Sequence, residues 1–261
     1  MRVLTYNLWF GGRKRLDAIQ SVLAHCRPDF AGLTEADDPD VVAELARPLE
    51  MQHVWSRGSG ERHIAALSRH PIRSHRVFNR RPLNQAVLET RLEIKGRNGA
   101  PDEEWVIYTA HLVPYLLLPF EFRRWQAAGA LLALTREVGR RPHLIIGDLN
   151  AIGPGDRVLQ RRNPARMRRV MALQLGLIFR LAIPRLLRAG YVDCFRRLNP
   201  TADGFTWWTQ NPTTRYDYVL APEWLASRLR SCQVVADHPA VRRASDHFPL
   251  LAEFEPDPGA A

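Results

Sequence analysis

Short apolar runs separated by turn-forming residues recur along the whole chain. Runs of this length, at intervals of roughly ten residues, predict buried strands rather than long helices. The predicted strands are 3–9, 30–34, 53–56, 64–68, 72–78, 86–94, 105–111, 143–148, 216–221, 233–236 and 250–254.

Between some of these strands, apolar residues recur every three to four positions, which predicts amphipathic helices. The predicted helices are 16–25, 41–49, 121–138 and a segment from about Pro164 to Arg188. Strands and helices do not alternate strictly, so the pattern favours an α/β sandwich with antiparallel strand pairs over a doubly wound parallel sheet. We expect one domain over 1–255, with a basic, helical insert at 155–190 and a disordered tail at 256–261.

Composition excludes several classes of protein. The chain has 261 residues, of which 46% are hydrophobic and 25% are charged, as in a globular protein. Three cysteines without a CxxC motif argue against a disulfide framework or a zinc finger. The longest nearly apolar run, 170–183, is shorter than the roughly 20 residues that span a bilayer. With no recognisable targeting segment, the prediction is a cytoplasmic monomer.

Positive charge is concentrated in one part of the chain. The net charge is +10, and residues 157–197, called the basic segment below, hold eleven arginines and one acidic residue. The remaining residues are balanced, with 26 basic and 26 acidic side chains. Such a segment suggests a phosphate-rich partner, either a nucleic acid or an anionic membrane surface. A solvated helix face packed on the sandwich is the alternative.

Polar side chains follow or end the apolar strands at six places. A carboxylate beside a buried strand is costly unless it is paired or binds a cation, so six such positions predict one site at one edge of the sheets. The residues are Asn7, Glu35, His111, Asp148 with Asn150, Asp217, and Asp246 with His247.

These residue types point to a hydrolytic metal site. Carboxylate and amide oxygens suit a hard cation such as Mg²⁺, with Mn²⁺ as a substitute. The two histidines suit proton transfer or stabilisation of a developing oxyanion. The sequence has no HExxH, no GxxxxGK[ST] and no GxSxG motif. Metal-assisted hydrolysis of a phosphate ester is the chemistry that remains.

Seven short motifs then give a family resemblance. In order they are TYNLW (5–9), LTE (33–35), LSRHPI (67–72), AHL (110–112), GDLN (147–150), RYDYVLA (215–221) and SDHFPL (245–250). This chain resembles the endonuclease/exonuclease/phosphatase superfamily, which includes deoxyribonuclease-I-like nucleases, abasic-site endonucleases, neutral sphingomyelinases and inositol-polyphosphate phosphatases. The resemblance implies a four-layered α/β sandwich, with two packed mixed β-sheets flanked by helices.

The resemblance also implies roles for individual residues. Glu35 would bind Mg²⁺, assisted by Asn7 and Asp246. Asp148 would orient or deprotonate the attacking water, and Asn150 would hold that water or a phosphate oxygen.

The histidines have implied roles as well. His247, paired with Asp217 or Asp246, would stabilise the phosphorane-like transition state. His111 would contact a phosphate oxygen or assist the leaving group. An ion pair between Arg215 and Asp217 is the structural alternative to a catalytic role for Asp217.

Substrate contacts are expected in the cleft and on the basic segment. Asn7 and Asn150 would contact the substrate in the site, and Arg162, Arg166 and Arg169 would contact it from one face of the predicted helix. Nucleic acid is the favoured substrate of the predicted magnesium-dependent phosphodiesterase, acting as an endonuclease or exonuclease.

Two alternatives remain at this point. One is a phospholipid, sphingomyelin or inositol-phosphate phosphoesterase that touches an anionic membrane through 164–188, with Ile178 and Phe179 inserted. The other is a catalytically silent binding domain, which filled catalytic positions argue against.

Overall fold

The computed structural model describes residues 1–58, 62–83, 86–96 and 102–255. The predicted tail at 256–261 lies outside these residues. The strands in chain order are β1 (Arg2–Asn7), β2 (Phe30–Thr34), β3 (Gln52–Ser56), β4 (Ile64–Ser68), β5 (Ile72–Phe78), β6 (Ala86–Ile94), β7 (Glu103–His111), β8 (His143–Asp148), β9 (Tyr191–Asp193), β10 (Asp217–Pro222), β11 (Leu229–Val234) and β12 (Leu250–Phe254).

The helices in chain order are α1 (Leu16–Cys26), α2 (Pro39–Ala46), α3 (Leu118–Val138), α4 (Ala165–Ala172), α5 (Ala182–Arg188), α6 (Cys194–Leu198), α7 (Glu223–Ala226) and α8 (Val241–Ala244). The outer face of one sheet is covered by α1, α2 and α8 and that of the other by α3 and α5, whereas α6 and α7 contribute to the core between the sheets. None of these helices is long and apolar enough to cross a membrane.

The strands form two mixed sheets of six strands within the described ranges. The first has the order β11-β12-β1-β2-β4-β3, and the second has the order β5-β6-β7-β8-β10-β9. Only two neighbouring pairs in these sheets are parallel, β1 with β2 and β7 with β8. The predicted antiparallel pairing is therefore confirmed, as is the α/β sandwich.

Alternating side chains place each sheet between two hydrophobic layers. In β1, Val3 faces the core between the sheets, whereas Leu4 faces the layer of α1, α2 and α8. In β8, Ile146 faces the second sheet's inner core and Ile145 packs towards α3 and α5. Strands buried on both faces read as continuous apolar runs, which is why the sequence revealed them.

The predicted helix over 164–188 is wrong as a single element. It is divided into α4 and α5, because Leu175 (φ 55°) and Gly176 (φ 72°) adopt left-handed backbone conformations that end the first helix. The interruption is held by side-chain amides, since Gln160 donates to the Gly176 carbonyl at 2.7 Å and Gln174 to the Leu177 carbonyl at 2.6 Å. A continuous basic helix face therefore does not exist.

One strand is also shifted relative to its prediction. The predicted strand 233–236 is replaced by β11, which begins four residues earlier. A bulge lies between Leu229 and Ser231 in its pairing with β12. Because a bulge interrupts the alternation of inward and outward side chains, the first half of this strand does not show a period of two.

Candidate active site

Strand register brings the predicted polar residues to one edge of the molecule. In the first sheet, Asn7 pairs with Thr34, the last residue of β2, so Glu35 follows directly beside it. In the second sheet, Asp148 lies opposite both His111 and Asp217. The edge predicted from strand ends alone therefore exists in both sheets.

The bend that carries Asp148 into the site depends on Gly147. This residue has φ 134°, and a Cβ atom there would lie 1.9 Å from the carbonyl oxygen of Ala110 on β7. No side chain fits between the two strands at this point. The glycine of the GDLN motif is therefore required by the close approach of β7 and β8.

Asp148 is buried, and both of its carboxylate oxygens accept hydrogen bonds. The backbone N–H of Asn150 donates to Oδ1 at 2.9 Å, and the side-chain amide of Asn7 donates to Oδ2 at 3.0 Å. The latter bond joins the two sheets. Burial raises the pKa of Asp148 to about 7, although the positive charge of His247 opposes this increase.

His247 and Asp217 form a buried pair next to this carboxylate. Nδ1 of His247 is 2.8 Å from Oδ2 of Asp217, and Nε2 is 3.8 Å from Oδ2 of Asp148. Burial alone would lower the pKa of the imidazole, but the two carboxylates outweigh it and raise the pKa of His247 to about 10. The imidazole is therefore a cation at neutral pH.

His111 faces the same carboxylate from the other side and has the opposite electrostatics. Its Nε2 is 3.8 Å from Oδ2 of Asp148, whereas its buried Nδ1 has no hydrogen-bond partner among the described residues. Burial lowers the pKa of His111 to about 4. The two histidines around Asp148 thus differ in charge at neutral pH, one neutral and one cationic.

Glu35 and Asp246 contribute carboxylates from the first sheet's side of the cleft. Burial acts to raise the pKa of Glu35, but His111, which is protonated only in the acidic range where Glu35 titrates, outweighs it together with Arg62 and the N–H of Phe10, so the pKa lies below its ordinary value. Burial raises the pKa of Asp246. Its Oδ2 accepts from the Trp207 indole at 3.3 Å, while its buried Oδ1 has no partner among the described residues.

These side chains border a cleft of about 590 Å³. The polar part of its lining includes the predicted residues Glu35, His111, Asp148, Asp246 and His247. The apolar and aromatic part comes from Val113, Pro114, Tyr115, Leu116, Phe120, Met167, Trp207 and Tyr216. The cleft can therefore hold a phosphate group against charged residues and an apolar or aromatic group beside it.

The structure brings most of the predicted site residues together, but not all of them. Asn7 and Asp217 lie beneath the cleft and hold Asp148 and His247, whereas the remaining strand-end residues line it. The three arginines of the basic segment are different. They lie on the exposed surface and not among the residues that line the cleft: Arg162, Arg166 and Arg169.

The ion pair considered between Arg215 and Asp217 is absent from the described contacts. Arg215 is buried and instead pairs with Asp156 at 2.7 Å and with Asp193 at 2.5 Å. Asp217 is thereby left to His247. The structure removes the simplest structural explanation for Asp217.

Arg62 is the site residue that the sequence analysis missed. It lines the cleft, with Nε 3.7 Å from Oε2 of Glu35 and Nη1 3.1 Å from Oδ2 of Asp37. Strand pairing would have indicated its position, because β4 pairs antiparallel with β2 and Ile64 lies opposite Thr34. The residues just before β4 must therefore lie at the same edge as Glu35.

The donors present fit a hard divalent cation. Glu35 and Asp246 offer carboxylate oxygens, and the buried, unpartnered Oδ1 of Asp246 is an oxygen that a cation would satisfy. A second group, Asp148, Asp217 and His247, has potential ligand atoms within 4.8 Å of one another. In that group Nδ1 of His247 and Oδ2 of Asp217 already contact each other at 2.8 Å, which favours an ion pair over a metal site at this position.

Comparison with known proteins agrees with this geometry. Residues 4–247 match the model of the Endonuclease/Exonuclease/phosphatase family. The chain belongs to this family. Two of the curated proteins that match do so over part of their length. Exodeoxyribonuclease III of Haemophilus influenzae is 34% identical over 124 residues, and an exodeoxyribonuclease of Bacillus subtilis is 29% identical over 136 residues. These matches cover 44% and 49% of this chain and 46% and 50% of the relatives, so the similarity spans about half of each protein.

Solved structures of the family share the whole fold. A 3′ phosphatase from Neisseria, bound to a product DNA hairpin, has a TM-score of 0.72 and 22% identity over 98% of this chain and 99% of its own. An AP endonuclease from Archaeoglobus fulgidus has a TM-score of 0.73 and 18% identity over 98% of this chain and 100% of its own. The four-layered sandwich implied by the sequence resemblance is therefore confirmed.

Proposed function

We propose that this protein is a metal-dependent phosphodiester hydrolase that acts on nucleic acid. The proposal rests on the row of buried side chains Asp217, His247 and Asp148. Of these, His247 and Asp148 line the same cleft as Glu35 and Asp246. A carboxylate and an imidazolium facing one cleft suit the two requirements of ester hydrolysis, activation of water and stabilisation of negative charge.

Asp148 is the residue that orients and deprotonates the attacking water. Its two hydrogen bonds, from Asn7 and Asn150, hold the carboxylate in one orientation. Asn150 itself is fixed because its side chain donates to the Leu112 carbonyl at 3.0 Å. Such preorganisation avoids reorienting the base during the reaction.

His247 stabilises the negative charge that develops on the phosphate oxygens. Asp217 keeps the imidazole protonated and fixes its orientation through Nδ1, so Nε2 remains available to the substrate. His111, on the other side of Asp148, contacts a phosphate oxygen or the leaving group as a neutral imidazole.

Glu35 and Asp246 would hold Mg²⁺ or Mn²⁺. When bound, the cation supplies positive charge that polarises the phosphate ester. The side-chain oxygen Oδ1 of Asn7 already accepts the Trp9 N–H at 2.8 Å, and its side-chain NH₂ group donates to Asp148. This arrangement favours a positioning role for Asn7 over that of a principal ligand.

Two facts support nucleic acid as the substrate class. The curated relatives are named exodeoxyribonucleases, and none of the relatives described above is named for a lipid or an inositol phosphate. The basic segment also places exposed arginines on the same chain as the cleft.

Hydrolysis of bis-p-nitrophenyl phosphate tests the chemistry. Activity should require Mg²⁺ or Mn²⁺, stop with EDTA and return when the cation is restored. Full activity after exhaustive chelation would contradict the metal assignment. A panel of duplex DNA, abasic DNA, RNA, sphingomyelin and inositol phosphates then tests the substrate class, and turnover of only the last two would contradict the nucleic-acid proposal.

A further inference from the structure

Two exposed aromatic side chains stand beside the cleft at the end of β1. Trp9 is 39% exposed and Phe10 is 62% exposed. Both adopt left-handed backbone conformations, with φ angles of 50° and 56°. This conformation is unfavourable for a residue with a side chain. Strain of this kind persists only where the surrounding structure requires it, and it often marks a functional site.

Bonds to two site residues hold this bend. The backbone N–H of Trp9 donates to Oδ1 of Asn7 at 2.8 Å, and the N–H of Phe10 donates to Oε2 of Glu35 at 3.0 Å. Gly11 completes the attachment by donating to the carbonyl of Glu35 at 2.9 Å. The position of the aromatic rings is therefore coupled to the residues at the mouth of the cleft.

Each ring is stacked against a guanidinium group. Arg62 lies 4.2 Å from the centre of the Phe10 ring, and Arg15 lies 4.7 Å from the centre of the Trp9 ring. Both arginines are themselves fixed, Arg62 by its ion pair with Asp37 and Arg15 by a 2.6 Å hydrogen bond to the carbonyl of Ala244. The rings are thus supported from the protein side while a large part of each remains open to solvent.

We propose that Trp9 and Phe10 form a stacking site for an unpaired base of a nucleic acid whose phosphate lies in the cleft. The inference rests on the proposed function and adds the form of the substrate. An exposed aromatic ring stacks on any base, whatever its identity, and a neighbouring guanidinium adds attraction for the phosphate chain. Bases within a duplex have both faces covered by their neighbours, so the site selects a single strand or a frayed end.

Binding of a fluorescently labelled single-stranded oligonucleotide, measured by anisotropy in EDTA, tests the proposal without hydrolysis. Phe10→Ala and Trp9→Ala should each weaken binding about 5- to 100-fold, the usual effect of losing one base stack. Phe10→Tyr should retain binding, because the ring is kept. Trp224→Ala is the matched control, since Trp224 is also an exposed aromatic residue (38%) and follows the opposite end of β10.

An oligonucleotide of the same length made of abasic residues separates stacking from charge. The Phe10→Ala and Trp9→Ala proteins should bind it as well as the wild-type protein does. An equal loss on both oligonucleotides, or no loss on either, would overturn the stacking site. Loss of binding to phosphatidylglycerol vesicles, with unchanged binding to the base-bearing oligonucleotide, would overturn it in favour of a lipid surface.

Hydrolysis distinguishes failure of this inference from failure of the proposed function. If wild-type protein cleaves DNA or RNA but Phe10→Ala binds the single strand normally, only the stacking site is wrong. If wild-type protein cleaves no nucleic acid, both proposals fail.

Discussion

The polar floor of the cleft and the basic segment beside it are positioned by different kinds of interaction. In the floor, backbone pairing sets the position of each side chain: His111, Asp148 and Asp217 lie opposite one another on three adjacent strands. The register of these strands therefore fixes which side chains lie close together.

The basic segment is held mainly by individual buried side chains. Glu121 on α3 accepts the backbone N–H groups of Leu181 and Ala182 at 2.6 and 2.9 Å. Arg180 donates in turn to the carbonyls of Gly153 and Asp156. Among the described residues of this segment, only those of β9 take part in strand pairing, through three residue pairs with β10.

The difference shows how the molecule separates two tasks. Chemistry requires fixed distances, and strand ladders provide them. The basic segment presents charge over a surface, which tolerates a less regular backbone. Among the described residues, the side chains of five exposed arginines of the segment make no hydrogen bond or ion pair: Arg161, Arg162, Arg166, Arg169 and Arg188.

The largest effect is expected from disrupting the floor. Asp148→Asn and His247→Ala should each lower kcat for bis-p-nitrophenyl phosphate by about 10²- to 10⁴-fold, because each removes a positioned acid–base or charge-stabilising group. His75→Ala, an exposed substitution on β5, serves as the control. Near-wild-type kcat in His247→Ala, with thermal unfolding unchanged, would show that the buried chain of residues is not the catalytic one.

A different effect is expected where the basic segment is attached. Arg215→Met should lower the free energy of unfolding by about 3–5 kcal/mol, because Asp193 would remain buried without a counter-charge and Asp156 would keep only that of Arg196. Urea unfolding measures the change, and Arg188→Met, an exposed site, should alter it by less than about 0.5 kcal/mol.

A neutral version of the same network isolates the electrostatic cause. Adding Asp156→Asn and Asp193→Asn to Arg215→Met removes the two carboxylate charges that Arg215 balances, so part of the lost stability should return. If the triple variant is no more stable than Arg215→Met alone, packing and not charge explains the loss.

The smallest effect on chemistry is expected from the exposed arginines. Replacing Arg162, Arg166 and Arg169 with Gln should weaken binding to long DNA. The slope of log K against log salt concentration should become shallower by about 2–3, because binding releases fewer counterions when it makes fewer phosphate contacts. Hydrolysis of bis-p-nitrophenyl phosphate should not change, because these residues do not line the cleft.

A charge-matched control sharpens this test. Arg27, Arg47 and Arg140 are exposed. They precede β2, β3 and β8, and each of these strands runs towards the side of the sheets that carries the cleft, so the three arginines lie at the opposite edge. Replacing these three with Gln changes the net charge equally but should leave DNA binding nearly intact. Equal losses in both triple variants would mean that net charge, and not the basic segment, governs binding.

The structure changes which residues of the basic segment could insert into a membrane. Ile178 and Phe179, the residues expected to insert, are only half exposed. The most exposed large apolar residues of the segment are instead Leu173 (79%), Leu175 (90%) and Leu177 (57%). Vesicle binding that depends on these leucines, with no effect of the arginine substitutions on DNA binding, would reverse the partner assigned to the segment.

The contrast between the two regions also explains what the sequence could predict. A polar residue after an apolar run is a local pattern, so Glu35 and Asp148 could be recognised from a few neighbouring residues. Their convergence followed because strand ends meet at a sheet edge. The first and last strands of the sandwich could likewise be recognised from the motifs that surround Asn7 and His247.

Features that depend on distant partners could not be recognised in this way. The helix break at Leu175 has no strong local signal, because leucine favours a helix and its left-handed conformation depends on the turn around Gly176. Arg62 was missed because its place at the cleft depends on the antiparallel pairing of β4 with β2. The pairing of Arg215 with Asp156 and Asp193 joins positions up to 59 residues apart.

The bond from Asn7 to Asp148 has a consequence for the order of folding events. It joins two residues that are 141 positions apart in sequence and lie in different sheets. A second long-range bond holds the same residue, because the hydroxyl of Ser245, 238 positions from Asn7, donates to the Asn7 carbonyl at 2.7 Å. Contacts between such distant positions form late, because the entropy of closing long loops is lost before they are made. A refolding chain with either sheet complete would still lack a working base. Recovery of turnover therefore reports the docking of the two halves, and not the appearance of secondary structure.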